Sequence, residues 1–113
     1  MRRLNLNNFR PEVLESSKPC LVLFKNTGCG LCDALLPVLF RVKARYGGRL
    51  KLGYIETSDQ EDLAELFEIT GVPTLFFFRH GDAVEVEYPP RPDMNSGYSE
   101  EYIVDYLEAH LDE

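Results

Sequence analysis

The stretch Asn26–Cys32, NTGCGLC, holds two of the chain's three cysteines, two residues apart. A Cys-x-x-Cys spacing alone is compatible with a redox pair, half of a metal site, or two neighbouring core residues. The flanking sequence narrows the choice. Upstream, Cys20–Lys25 (CLVLFK) is a continuous apolar run of strand length and reads as a strand buried on both faces. Downstream, from Cys32 to about Tyr46, the period turns helical, with Leu35, Leu39, Val42 and Tyr46 on one stripe. The pair therefore stands where a buried strand ends and a helix begins. Open α/β sheets place ligand and catalytic groups at such strand ends.

Disulfide exchange requires a thiolate. At the ordinary pKa of about 8.5, roughly 3% of a thiol is ionised at pH 7. A pKa of about 7 raises that to roughly half, a shift of about 2 kcal/mol. A helix N-terminus supplies much of this through unpaired N–H groups and the macrodipole. Cys29 is expected at that end, with Gly28 and Gly30 letting a partner backbone approach closely. Cys32, one turn further, is expected to be more buried. The residues thus read as an attacking thiol at Cys29 and a resolving thiol at Cys32.

Two alternatives stay open at this point. Buried cysteines are common in cores, although a core pair has no need of glycines on both sides of Cys29. Zinc usually takes four ligands, and the soft candidates are Cys20, Cys29, Cys32, His80 and His110, with no second Cys-x-x-Cys. No metal is expected within one chain, which leaves a metal or cluster shared across a dimer. Cys20 reads as an apolar strand residue, its functional alternative being a regulatory thiol. His80 and His110 read as surface residues.

At 113 residues and 44% apolar content, the chain is expected to form a single domain over 1–113, with a core that needs no staple. Its net charge of −7 argues against nucleic acid and anionic membranes as partners. No run approaches the roughly 20 apolar residues that span a bilayer. Met1–Phe9 is basic but lacks the apolar region of a secretory signal. The expected compartment is the cytoplasm, where a close Cys pair is more often catalytic or metal-binding than structural.

The remaining segments alternate between strand and helix. A short edge strand is expected from Leu4, running into a helix over Pro11–Glu15. Leu50–Glu56 reads as a strand, after Gly47-Gly48 stops the preceding helix. Ser58–Glu61 has capping-box spacing and should open a helix with Leu63, Leu66 and Phe67 inside. Thr74–Arg79 reads as a buried strand that turns at His80-Gly81-Asp82 into a half-exposed strand. Pro89–Tyr98 (PPRPDMNSGY) has no periodicity and reads as a stiff connection. Ser99 should cap a last helix with Ile103, Leu107 and Leu111 inward.

Taken together, three motifs resemble the thioredoxin family over about Leu4 to Leu111. Cys29-Gly30-Leu31-Cys32 resembles the family's Cys-Gly-Pro-Cys motif. Pro37, five residues after Cys32, matches the proline that kinks the active-site helix. Gly71-Val72-Pro73-Thr74 matches the cis-proline segment. The resemblance implies an α/β thioredoxin fold, a mixed five-stranded sheet in order 1-3-2-4-5 with helices on both faces. It implies a thiol-disulfide oxidoreductase whose Cys29–Cys32 disulfide is the redox group, with no other cofactor. It also implies protein disulfide substrates, an upstream reductase, and substrate binding by Val72 and Pro73 beside Gly28 and Gly30. A redox-sensing adaptor of the same fold is the rival.

Four positions depart from the family pattern. Gly28 stands where the family usually has Trp. Leu31 replaces Pro, and Asp33 replaces Lys; both are expected to tune reactivity. Leu23 occupies the place of a buried Asp that serves the resolving thiol, which leaves Glu56 or Lys51 as candidate bases for Cys32. The 89–98 connection replaces a short Gly-containing turn and is expected to shape partner choice.

Overall fold

A computed structural model describes residues 1–111. Five strands form one sheet in the order β1-β3-β2-β4-β5: β1 Arg2–Arg3, β2 Cys20–Lys25, β3 Lys51–Glu56, β4 Thr74–Arg79 and β5 Asp82–Val86. β1 and β2 run parallel to β3 on either side of it, and β4 is antiparallel to both β2 and β5. The expected order and the mixed directions are therefore both present. The helices are α1 Gly30–Tyr46, α2 Glu61–Leu66 and α3 Glu100–His110, with a π-helical turn at Arg10–Leu14.

Alternation along the central strands sorts the core into two halves. Leu21, Leu23, Leu75 and Phe77 face α1 and α3, meeting Leu35, Leu39, Val42, Ile103 and Leu107. Cys20, Val22, Phe24, Phe76 and Phe78 face the π-helical turn and α2, meeting Phe9, Val13 and Leu63. On this second face Phe67 packs edge-on against Phe76 and Phe78, with centroids 5.4 and 5.5 Å away. A strand covered on both sides must be apolar throughout, which is why CLVLF and LFFF read as runs.

The structure corrects three expectations. The first strand is Arg2–Arg3 rather than a segment from Leu4; Leu4 still donates to the Tyr54 carbonyl at 2.8 Å. Beyond it the chain turns because the Asn5 side chain accepts the N–H groups of Asn7 and Asn8, while Asn8 accepts that of Asn5. Such side-chain bonds compete with the ladder. Second, the capping box does not form: α2 starts after Gln60 with no side-chain cap. Its polar residues serve tertiary contacts instead, Ser58 N–H on Asn26 and Asp59 on Arg3. Third, Leu66 is 68% exposed, so the inner face of α2 is Leu63 with Phe67 just beyond its end.

Other local expectations match. His80 and Gly81, both at positive φ, make a two-residue hairpin turn. Ser99 caps α3 through the Tyr102 N–H.

Candidate functional site

The site lies at the C-terminal end of β2. Cys29 is the N-cap of α1, and its Sγ accepts the Cys32 N–H at 3.1 Å. The two sulfurs are bonded, with Cα atoms 5.2 Å apart. Cys29 is half-buried and Cys32 fully buried beneath it. The approach to Cys29 requires Gly28, whose φ of +88° lies in the left-handed region that side chains rarely adopt. Gly30 and Leu31 are exposed on the first turn of α1, as is Asp33, whose N–H donates to the Cys29 carbonyl.

The loop before Cys29 is tied to the end of β3 and the residues just after it by two clasps, one on the Glu56 carboxylate and one on the loop's own Asn26 carboxamide. The Glu56 carboxylate accepts the Thr27 N–H and the Lys25 ammonium, the latter at 3.1 Å. Asn26 Oδ1 accepts the Thr57 hydroxyl and the Ser58 N–H. Glu56 is only 6% exposed. Burial pushes its carboxyl up, but the Thr27 and Lys25 hydrogen bonds and the Lys25 charge outweigh that and hold it below its ordinary value. Lys25 also lies over the Tyr54 ring at 5.6 Å.

Of the two candidate bases for Cys32, Lys51 is at the wrong end of the sheet. It pairs in register with Cys20 and bonds the Glu12 carbonyl and carboxylate. Glu56 is at the right end, but its bonds go to Thr27 and Lys25. Leu23 is fully buried between Tyr54 and Leu75.

The distant Gly71–Thr74 segment lines clefts together with Asn26 and Leu31, which lie on either side of Cys29 in the chain. The Val72–Pro73 bond is cis, Pro73 is buried and Val72 half-buried. Among the described residues no hydrogen bond engages the Val72 backbone. Two clefts flank this segment and share Thr70, Gly71 and Val72. One, of about 470 Å³, also involves Asn26, Glu61, Glu65 and Ile69. The other, of about 280 Å³, involves Leu31, Pro73, Glu85, Tyr88 and Tyr98.

The second cleft exposes what sequence reading missed. Residues 89–98 are folded rather than merely stiff: Asp93 and Gly97 exchange backbone hydrogen bonds, and the Asp93 side chain accepts the Asn95 and Ser96 N–H groups. The connection delivers Tyr98 into the core at 1% exposure, where its hydroxyl donates to the Val86 carbonyl and accepts the Leu75 N–H. Burial pushes this phenol up to about 12, so it stays neutral. Tyr88 packs edge-on to Tyr98 at 5.3 Å. Gly97 sits at φ +74°, and a Cβ there would lie 2.6 Å from the Tyr88 hydroxyl. The signal in the sequence was a tyrosine and a glycine inside a Pro-rich segment.

Among the described residues no group of three or more His, Cys, Asp or Glu side chains is placed to hold a metal ion. Among them no helix is long and apolar enough to cross a membrane.

Comparison with known proteins follows the same outline. The family model described as Thioredoxin matches residues 1–104. Thioredoxin C-2 of Corynebacterium nephridii is 32% identical over 85 residues, 75% of this chain and 79% of that protein. Thioredoxin 1 of Synechococcus elongatus is 35% identical over 77 residues, 68% of this chain and 72% of that protein.

Proposed function

The chain belongs to the thioredoxin family and is a thiol-disulfide oxidoreductase, and on that premise we propose that Cys29 attacks protein disulfides and Cys32 resolves the product. In the reduced enzyme the Cys29 thiolate attacks one sulfur of a substrate disulfide. An S–S bond forms between Cys29 and the substrate, and the substrate's other sulfur leaves as a thiolate that takes up a proton. The Cys32 sulfur, losing its proton, then attacks Cys29 Sγ. The Cys29–Cys32 bond forms and the second substrate thiol departs. Two electrons and two protons pass to the substrate in total. A dithiol reductase, the partner class the family implies, returns them.

The observation that carries this reading is the contrast within the pair: a half-buried Cys29 at a helix N-cap over a fully buried Cys32. Helix N–H groups and the macrodipole stabilise a thiolate at the cap. The buried thiol can reach only the sulfur above it. Val72, with free backbone groups beside the pair, would hold an extended substrate as an added strand. Gly28 and Gly30 leave room for that strand, and Leu31 and Asp33 tune the thiol from the first turn of α1. An adaptor that only senses redox state is not favoured by relatives named as thioredoxins. The role is that of a reductant in the cytoplasm, requiring no metal or organic cofactor.

Insulin reduction by dithiothreitol tests the proposal. The wild type should accelerate it and Cys29→Ser should match dithiothreitol alone; equal rates for both proteins would overturn it. A potential near the about −270 mV of thioredoxin supports a reductant, and one near about −120 mV an oxidant.

A further inference from the structure

Building on the reductase reading, we infer that the two clefts beside Val72–Pro73 dock substrates whose reactive disulfide is flanked by lysine or arginine side chains. The clefts lie on the two sides of one short segment and share Thr70, Gly71 and Val72. An added strand sends successive side chains to opposite faces, so one bound at Val72 directs its neighbours into both clefts.

Their chemistry is the same on each side. The larger cleft presents Glu61 and Glu65, and the smaller presents Glu85. Neither lining contains a lysine or arginine; Arg91, the cation of the 89–98 connection, belongs to neither. None of the three carboxylates is ion-paired among the described residues, whereas Arg2, Arg3, Lys25, Arg41, Arg45 and Lys51 all are. The molecule's ion-paired cations thus lie outside the clefts, and the negative charge at the clefts is left uncompensated. Each cleft also offers an apolar surface, Ile69 in one and the 37% exposed Leu31 in the other. Tyr88, 44% exposed, adds an aromatic ring beside Glu85. A carboxylate next to apolar and aromatic surface suits a long aliphatic stem with a cationic head.

The test uses the pre-reduced full chain and three synthetic peptides with the same disulfide loop, flanked by Lys, Gln or Glu. Rates come from acid-quenched single turnovers read by mass spectrometry. At low ionic strength the Lys peptide should react about 10-fold faster than the Glu peptide, with Gln between them. The ratio should fall towards one in high salt. Glu61→Gln with Glu65→Gln and Glu85→Gln should cut it to about 2-fold or less. A charge-matched variant, Glu15→Gln with Glu101→Gln and Asp105→Asn, should keep it. Glu85→Lys alone should lower it, which keeps the test valid if the triple variant folds poorly. Reduction of the Gln peptide with a Lys-to-Glu ratio near one would overturn the inference and leave the reductase reading standing. Equal losses in both triple variants would also overturn it, assigning the preference to net charge. Failure on all three peptides would overturn the reductase reading and the inference together.

Discussion

The two ends of β2 carry similar parts in different settings. At its start Cys20 lies in register with Lys51, which pairs with Glu12 at 3.2 Å. At its finish Lys25 pairs with Glu56 at 3.1 Å, and Cys29 follows in the loop beyond. Cys20 is 2% exposed inside the aromatic half of the core, and burial pushes its thiol up to about 11 despite the Lys51 charge. Cys29 is half-buried, caps α1, and has the open backbone of Val72 nearby. The difference teaches that a neighbouring cation does not by itself make a cysteine reactive. In the proposed mechanism a helix terminus and access for a substrate do, and of these two cysteines only Cys29 combines an N-cap position with partial exposure.

The largest expected effects test this contrast directly. Cys29→Ser should reduce insulin turnover to the dithiothreitol background, whereas Cys20→Ala should keep turnover within about 2-fold while losing about 1–2 kcal/mol in urea unfolding. Comparable activity losses would break the comparison. In the reduced protein, iodoacetamide should label Cys29 at least about 100-fold faster than Cys20 at pH 7, because a thiol with a pKa near 11 is ionised only to about one part in 10,000. Peptide mapping over a time course measures both rates.

The ion pairs sharpen the comparison further. The side chains of Lys25 and Glu56 are 12% and 7% exposed, while those of Lys51 and Glu12 are 32% and 30% exposed. Glu56→Gln strands the Lys25 ammonium and should cost about 3 kcal/mol, against less than about 1 kcal/mol for Glu12→Gln. The pH dependence carries the same sign. The folded chain holds the Glu56 carboxyl below its ordinary 4.5, so it binds the charged form better than the unfolded chain does. That stabilisation is complete above 4.5 and is lost as pH falls through the lower folded value. Urea midpoints should therefore drop less steeply below pH 4.5 in Glu56→Gln than in the wild type. Asn26→Ala, which removes the acceptor for Thr57 and Ser58, should cost about 1–2 kcal/mol in urea unfolding, between the costs of Glu56→Gln and Glu12→Gln.

The contrast also explains what could be read without coordinates. β2 and α1 were legible because apolar runs, helical periodicity and glycine are local signals, and the Val72–Pro73 segment was legible through its resemblance to the family's cis-proline motif. The stripe of Leu35, Leu39, Val42 and Tyr46 is buried as its spacing requires. The clasps on the cysteine loop were not legible: Glu56 and Asn26 act across more than 25 residues of sequence, and nothing near them marks a partner. The capping-box reading of Ser58–Glu61 failed for the same reason, since Asn26 and Arg3 claim those groups from afar. Residues 89–98 looked featureless because Tyr98 is anchored by Val86 and Leu75, on two separate strands. Their contribution to the cleft is a tertiary fact.

The central claim is that Cys29 alone meets the substrate. Incubating reduced Cys32→Ser with a peptide disulfide and mapping the trapped adduct by mass spectrometry tests it most directly. The peptide should be found on Cys29 in a one-to-one mixed disulfide, with Cys20 unmodified. An adduct on Cys20, or no adduct while wild type reduces the same peptide, would contradict the account.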